Sequence, residues 1–188
     1  MTTPATATRN GVDVGQLVNT IDAVKADPNL ARFQFQARNE WLDGGRSQTT
    51  IQSFYHAGQQ DTSRQGPFIV EGDEPPVLLG DDTAPNAVEA VLHALASCLA
   101  VGFIYNAAAQ GIEVESLESN LEGELDLRAF LGLSEDVRPG YKNIHVTYRA
   151  EADAPREKLE ELCAYVQKTS PVLDIIRNPV PVSIEMED

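Results

Sequence analysis

A long apolar stretch between Asp81 and Gly111 constrains the fold more than any other part of the sequence. It begins with a turn and with Asn86, a residue type that accepts a free amide hydrogen at a helix start. It ends at Gly111, which suits the left-handed position just after a helix. Large apolar side chains fall on every side of this helix: Val88, Val91, Leu92, Leu95, Leu99, Val101, Phe103 and Ile104. Because a helix without a polar face is normally enclosed by other elements, the pattern predicts a buried central helix.

Three side chains in this stretch are not required by apolar packing: Glu89, His93 and Cys98. The stretch is also rich in alanine and other small residues, which would let a second backbone approach the helix closely. A buried carboxylate needs a partner, and a buried thiol is either a packing group or a chemical one. These three residues are therefore the first candidates for a functional role.

Spacing along the helix leaves the roles of Glu89 and Cys98 open. The separation of nine positions corresponds to a rotation of about 900°, so the two side chains point to opposite sides of a straight helix. They could share a site only if two copies of the helix packed antiparallel; otherwise Glu89 is a first-turn residue that favours the helix dipole. Cys98 is either a packing residue or a reactive thiol, and it would be reactive only with a cationic partner from another element.

The remaining candidate residues have simpler structural interpretations. His56, His93 and His145 are scattered along the chain, so no metal site is expected. Cys163 lies on the apolar face of a second predicted helix, where a core role is favoured. Arg46 follows a glycine turn and could be an ordinary solvated arginine. The sequence contains no phosphate-binding loop and no nucleophile elbow. No bound cofactor is expected.

Composition limits the class of protein and of partner. The chain has 188 residues, 42% of them hydrophobic and 23% charged, as expected for a globular domain. A net charge of -15 argues against nucleic acid and anionic membranes as partners. The first ten residues are polar and lack the apolar segment of a signal peptide, and Glu89 and His93 interrupt the apolar run, which favours a buried helix over a membrane span. Two cysteines without an export signal favour free thiols in the cytoplasm.

Alternating helix and strand signals predict the rest of the fold. Residues 1–10 are expected to be a disordered start, residues 58–66 a polar loop, and residues 42–45 a hairpin turn. Helices are predicted over residues 12–26, after a cap at Asp153 with Pro155 in the first turn, and over 172–176. Strands are predicted in residues 31–41, 46–56, 68–71, 112–127, 144–148 and, as an edge strand, 179–186. We therefore predict an N-terminal tail and helix over 1–30 and a single α+β domain over 31–188, with antiparallel strands wrapped around two main helices.

Three segments resemble the OsmC/Ohr family, the osmotically inducible protein C and organic hydroperoxide resistance proteins: residues 84–132, 137–163 and 169–182. The most specific parts are the spacing of Pro85, Glu89 and Cys98 and the turn at Ser170 before a proline-rich last segment. The resemblance extends from about Arg32 to residue 184. It implies an intertwined homodimer in which a curved antiparallel sheet wraps around central helices packed at the interface. It also implies cysteine-dependent reduction of organic hydroperoxides or hydrogen peroxide, in defence against oxidative stress.

The resemblance assigns roles to particular residues. Cys98 matches the peroxide-attacking cysteine and Glu89 the family's glutamate, while Arg46 matches the arginine, with Arg38 as a weaker candidate. On this assignment Arg46 stabilises the thiolate and Glu89 holds Arg46 in place, so that attack on the peroxide gives a Cys98 sulfenic acid.

One position departs from the family pattern. Ser170 stands where the family has its second, resolving cysteine, and the other thiol, Cys163, precedes it by seven residues. The usual intramolecular disulfide is therefore expected to be absent. Either an external thiol or dithiol reduces the sulfenic acid, or Cys163 has become the resolving residue, or the peroxidase activity has been lost.

Two alternatives to a peroxidase remain at the level of sequence. The chain could be a non-catalytic OsmC-like dimer that binds a small apolar ligand in its interface cleft. It could also be a purely structural protein in which Cys98 and its neighbours only pack, because a shared fold does not establish a shared function.

Overall fold

Within residues 8–187, which the computed structural model describes, the chain forms four α-helices and ten β-strands. The helices are α1 (Val14–Ala26), α2 (Ala87–Ala109), α3 (Arg156–Thr169) and α4 (Pro171–Arg177). The strands are β1 (Thr8–Arg9), β2 (Val12–Asp13), β3 (Phe33–Phe35), β4 (Arg38–Asp43), β5 (Arg46–Ile51), β6 (Phe54–His56), β7 (Gln59–Asp61), β8 (Phe68–Gly72), β9 (Val114–Glu124) and β10 (Asn143–Ala152). Strands β3 to β10 pair in antiparallel fashion, which confirms the predicted α+β class.

The described chain divides into two compact units. The first, residues 13–91, holds α1, the first turn of α2 and two three-stranded sheets with the strand orders β3-β6-β7 and β4-β5-β8. The second, residues 8–12 together with the chain from Leu92 onwards, holds the rest of α2, the β9–β10 hairpin, α3 and α4. The division predicted from sequence, a tail and helix over 1–30 followed by one domain over 31–188, is not the same as these two units. It stays a prediction.

The hydrophobic core lies in the second unit. Its buried side chains are Leu95, Leu99, Phe103, Ala107, Ile112, Leu162, Val166 and Leu173. Alternate residues of β10 pack against this cluster, namely Ile144, Val146, Tyr148, Ala150 and Ala152, as the period of two in their sequence requires. The two long helices, α2 and α3, and the hairpin thus share one core.

Both ends of α2 are fixed by local hydrogen bonds that its sequence predicts. At the start, the Asn86 side chain accepts from the Glu89 amide, and the Glu89 carboxylate accepts from the Asn86 amide, each at 2.9 Å. This reciprocal pair is a capping box. At the end, Gly111 has a φ of +78°, and the amides of Gly111 and Ile112 bond to the carbonyls of Ala108 and Ala107. That pattern is the Schellman motif, which confirms Gly111 as the residue that ends the helix.

The prediction that α2 is buried on all sides is wrong for the single chain. Its fully buried residues lie along one side: Leu95, Leu99, Phe103, Ala107 and Ala108. Elsewhere on the helix Val91, Val101 and Tyr105 are exposed at 39%, 53% and 47%. By length and composition alone α2 would be able to cross a membrane, but the central helix of a water-soluble fold passes the same test.

Three predicted strands differ from the structure, because pairing with a neighbouring strand, and not the residue pattern alone, determines where a strand forms and where it ends. Residues 179–187 form no strand, and Val182, Ile184 and Met186 are exposed. Pro179 and Pro181 also remove two backbone donors from this segment. The stretch 31–41 is divided between β3 and β4, and the stretch 46–56 between β5 and β6; in each case the two strands pair in different sheets. The predicted polar loop at 58–66 contributes β7, which pairs with β6.

The N-terminal segment contains order that the sequence pattern did not reveal. Of the predicted disordered start, residues 1–7 lie outside the described residues, whereas Thr8–Arg9 forms β1. The Arg9 guanidinium donates to the Gly111 carbonyl, and the Asn10 side chain bonds to the backbone of Ile112 and Val114. These bonds fasten the segment to the exit of α2.

Candidate functional site

Cys98 lies half-buried on α2, and its sulfur is 3.2 Å from the hydroxyl oxygen of Ser170. Ser170 is only 6% exposed and joins α3 to α4. Its amide donates to the carbonyl of Val166, and its hydroxyl oxygen accepts from the amide of Leu173. A serine before Pro171 suits this junction, because serine caps a helix and proline fits its first position. The Ser170 hydroxyl is therefore held firmly against the thiol.

The contacts between α2 and α3 show that the helices run antiparallel past each other. Cys98 contacts Ser170, and four residues later on α2 a β-carbon built at Gly102 would lie 3.1 Å from the side chain of Val166, four residues earlier on α3. Cys163 precedes Ser170 by seven residues, a separation of about 10 Å along a helix axis. A disulfide needs Cα atoms within about 7 Å. Pairing of Cys98 with Cys163 would thus require α3 to fray or bend.

Cys163 is itself half-buried and free, and it packs against the core of the second unit. Its sulfur accepts a long hydrogen bond of 3.8 Å from the side-chain amide of Gln167. The predicted core role is consistent with this packing. Its predicted role as a resolving residue stays a prediction.

Tyr148 is a polar residue of this region that is not among the functional candidates predicted from sequence. It points inward from β10, its ring stacks on Phe103 with centroids 6.1 Å apart, and its hydroxyl oxygen is buried. No hydrogen-bond partner for this oxygen is found among residues 8–187. Burial raises the pKa of Tyr148 to about 12, with further contributions from Cys163 and Cys98. The signal that could have found it is a tyrosine at an inward-facing position of an alternating strand.

Glu89, Arg46 and Arg38 belong to the first unit. Glu89 is exposed, and its carboxylate completes the capping box, which is the simpler of its two predicted roles. Arg46 begins β5 opposite Asp43 and is half-buried, and the described part of the chain offers its guanidinium neither an ion pair nor a hydrogen bond. Arg38 forms an exposed ion pair with Glu40 at 2.7 Å. The single chain does not join Glu89 to Arg46, so their shared role stays a prediction.

A buried carboxylate, Asp73, holds the loop that leads into α2. It is 2% exposed and accepts hydrogen bonds from the Glu74 amide and from both the amide and the hydroxyl of Thr83. The hydrogen bond from the Thr83 amide is the largest of the effects that keep the pKa of Asp73 below its ordinary value of 3.8. Because every one of these donors belongs to the loop itself, the role of Asp73 is structural.

The first unit also contains an apolar cleft of about 630 Å³. It lies between α1 and the β3-β6-β7 sheet, with Ala23, Val24, Leu30, Phe33 and His56 among its lining residues. The His56 ring stacks on Phe33 at 4.4 Å and bonds to the carbonyl of Leu30 at 2.8 Å. Such a cleft has the size and the lining typical of a small-molecule site.

The chain resembles proteins of one family in sequence and in structure. A family model for OsmC-like proteins matches residues 80–185. Among solved structures, an OsmC-like protein from Mycoplasma pneumoniae has a TM-score of 0.58 at 16% identity, covering 78% of this chain and 89% of its own. An organic hydroperoxide resistance protein OsmC from Legionella pneumophila scores 0.51 at 19% identity, covering 77% and 89%. An OsmC-like protein of unknown function from Vibrio cholerae scores 0.52 at 14% identity, covering 75% and 92%. No curated protein sequence matches the chain.

Proposed function

We propose that this chain, which belongs to the OsmC-like protein family, is a cysteine-dependent peroxidase that reduces organic hydroperoxides or hydrogen peroxide in defence against oxidative stress. The observation that carries the proposal is Cys98 itself, a half-buried thiol in the middle of the central helix with a hydrogen-bonding hydroxyl at 3.2 Å. A relative of the same fold is described as an organic hydroperoxide resistance protein, which is consistent with this chemistry.

In the proposed reaction the Cys98 thiolate attacks the terminal peroxide oxygen. A sulfur–oxygen bond forms, the oxygen–oxygen bond breaks, and the leaving alkoxide takes a proton from solvent to become an alcohol. Sulfur is oxidised by two electrons and the peroxide is reduced by two. The product on the protein is a Cys98 sulfenic acid.

Arg46 and Glu89 complete the proposed catalytic set. Thiolate is the reactive form of cysteine and needs a cationic neighbour, and Arg46 has no ion-pair partner of its own among the described residues. Arg38 is less suited because it is already paired with Glu40. Glu89 uses one carboxylate oxygen in the capping box, which leaves its second oxygen for a guanidinium.

The proposed cycle closes with an external thiol or dithiol, and it uses no bound cofactor or metal. Ser170 cannot form a disulfide, and Cys163 is offset from Cys98 along α3. A reducing compartment such as the cytoplasm would supply the reductant. We further propose that the active form is a homodimer, which would cover the apolar side of α2 that is exposed in the single chain.

Stopped-flow consumption of cumene hydroperoxide, with dithiothreitol as reductant, tests the proposal. We expect Cys98→Ser to reduce the rate to that of the reductant alone, and Cys163→Ser, the matched control, to leave the protein active. Arg46→Ala should slow the reaction strongly while Arg38→Ala should not. Equal rates for the wild type and Cys98→Ser would rule the peroxidase out.

The second candidate is a non-catalytic OsmC-like dimer that binds a small apolar ligand. The apolar cleft of the first unit favours ligand binding, although it is a different place from the interface cleft expected from sequence. On this alternative Cys98 would resist alkylation by iodoacetamide at neutral pH, and the naphthalene dye ANS would bind with a defined stoichiometry. Ala23→Trp, which fills the cleft, should abolish dye binding.

A further inference from the structure

The phenol of Tyr148 is a buried hydrogen-bond donor without an acceptor. Its oxygen has no access to solvent, and no acceptor reaches it from within residues 8–187. A buried polar group that is left unpaired opposes folding, so native proteins rarely keep one without a use. Phenylalanine would fill the same space without this cost, so the hydroxyl itself calls for an explanation.

The position of Tyr148 connects it to the thiol site. Its ring stacks on Phe103, the residue after Gly102, and a β-carbon built at Gly102 would lie 3.1 Å from the side chain of Val166 on α3. The ring also packs against the core cluster that contains Leu162, the neighbour of Cys163. Tyr148 therefore packs on the core to which both α2 and α3 contribute, and both Cys98 and Cys163 are near enough to add to the rise in its pKa.

We propose that Tyr148 is a catalytic residue whose hydroxyl donates a hydrogen bond to the peroxide oxygen that becomes bonded to Cys98. This inference rests on the proposed peroxidase function and adds a residue to it. Before the reaction the donor is unpaired, and an oxygen brought in by the substrate pairs it. The same bond then holds the oxygen of the sulfenic acid.

The chemistry requires a donor that keeps its proton. In the reaction RO–OH and the Cys98 thiolate give Cys98–OH and an alkoxide, and solvent protonates the alkoxide, so no proton from Tyr148 is consumed. With its pKa raised to about 12, chiefly by burial, Tyr148 stays protonated at any physiological pH. Its contribution is to hold the terminal oxygen in line with the sulfur during attack, while the negative charge develops on the leaving oxygen.

Tyr148→Phe tests the inference, because the change removes the hydroxyl and keeps the ring on Phe103. The measurements are the single-turnover rate of Cys98 oxidation by cumene hydroperoxide and the lifetime of the sulfenic acid, trapped with dimedone. We expect both to fall about tenfold, which corresponds to the loss of one ordinary hydrogen bond. Tyr165→Phe, on an exposed tyrosine of α3, is the matched control and should behave as the wild type.

Thermal unfolding separates a chemical role from a structural one. Since an unpaired hydroxyl is removed, Tyr148→Phe should unfold at the same temperature as the wild type or at a higher one. Unchanged oxidation kinetics in this variant would overturn the role of Tyr148 and leave the peroxidase proposal standing. A wild-type protein that forms no sulfenic acid with any hydroperoxide would overturn both.

Discussion

At the residue scale, the atom that contacts the Cys98 sulfur is a hydroxyl oxygen, because residue 170 is a serine. A hydroxyl can form a hydrogen bond with a thiol, but it cannot form a disulfide with one. The other thiol of the chain, Cys163, lies on α3 about two helical turns before Ser170. An oxidised Cys98 therefore has no cysteine at the contact where the OsmC-like pattern would place one.

Replacing Ser170 with cysteine should restore an intramolecular disulfide. A sulfur at this position would start from near the 3.2 Å that now separates Cys98 Sγ from Ser170 Oγ, within reach of the 2.05 Å bond length of a disulfide. We expect Ser170→Cys, treated with one equivalent of hydroperoxide, to lose two free thiols and to migrate faster on a non-reducing gel. The double variant Cys163→Ser/Ser170→Cys should also lose two free thiols and migrate faster, because Cys163 takes no part in the new disulfide. A variant that keeps its thiols would show that the two side chains do not meet in solution.

Asp73 should make the folded state sensitive to acid. Hydrogen bonds from Thr83 and Glu74 hold the pKa of Asp73 below 3.8 in the folded protein, whereas the unfolded chain keeps the ordinary value. The stability that this carboxylate contributes is therefore fully present above pH 3.8 and is lost as the pH falls through the folded-state pKa. We expect Asp73→Asn to lower the unfolding temperature at pH 7, measured by circular dichroism. The difference in unfolding temperature between the variant and the wild type should become smaller towards pH 3. Asp43→Asn, on an exposed hairpin residue, controls for the change of charge.

The site is predictable from sequence only where local pattern determines it. Asn86 predicts the helix start, and the hydrogen bond that its side chain accepts from the Glu89 amide confirms that prediction. The sequence also draws attention to Cys98, because apolar packing does not require a thiol. The contact with Ser170 joins residues 72 positions apart, and the buried phenol of Tyr148 depends on the packing of a strand under two helices. Patterns among residues close in sequence cannot predict contacts of this kind.

At the element scale, the close approach of α2 and α3 depends on the absence of a side chain at Gly102. A β-carbon there would meet Val166 Cγ1 at 3.1 Å, a distance that a few tenths of an ångström of movement would relieve. A helix-interior alanine is favoured over glycine by about 1 kcal/mol, which offsets that movement. A larger side chain has no such compensation.

We therefore expect Gly102→Ala to be nearly neutral and Gly102→Leu to lower the free energy of unfolding by about 1–3 kcal/mol, the usual cost of overpacking. Urea denaturation measures both changes. Ala109→Leu, at the exposed end of the same helix, is the control for added bulk. If Gly102→Leu were as stable as the wild type, the two helices would not be in the contact that holds Ser170 against Cys98.

Elements with local signals were predicted well, and elements that depend on a distant partner were not. Helix α1, the turn between β4 and β5, the Schellman end of α2 and the cap of α4 all follow from residues close in sequence. Asp153 was wrongly expected to cap α3, since its carboxylate instead accepts from the amide of Glu113, 40 residues away. The terminal segment has an alternating pattern, but the single chain forms no strand there. An alternating pattern shows that a segment can form a strand, but the strand forms only where a neighbouring strand is available to pair with it.

At the scale of the whole molecule, the single chain leaves unusual amounts of apolar surface exposed. In the first unit none of the described hydrophobic side chains is fully buried, and Phe35, Trp41 and Phe68 are exposed at 69%, 71% and 60%. In the second unit Val101 and Tyr105 are exposed on α2 at 53% and 47%. Extended exposed apolar patches of this kind mark surfaces that other protein covers. The simplest cover is a second copy of the chain around a two-fold axis.

The last prediction follows from that exposed side of α2. We expect the wild type to elute as a dimer in size-exclusion chromatography with light scattering. Val101→Lys should raise the dimer dissociation constant at least tenfold, because burying one valine side chain is worth about 1.5 kcal/mol or more and a lysine cannot be buried there without a partner. Ala109→Lys, at the exposed end of α2, adds the same charge and should leave the dimer intact. If the dimer is also needed to bring a guanidinium to Cys98, Val101→Lys should lose peroxidase activity in parallel with the dimer, and activity should return as the protein concentration is raised. A wild type that stays monomeric and active at micromolar concentration would show that one chain contains the whole site.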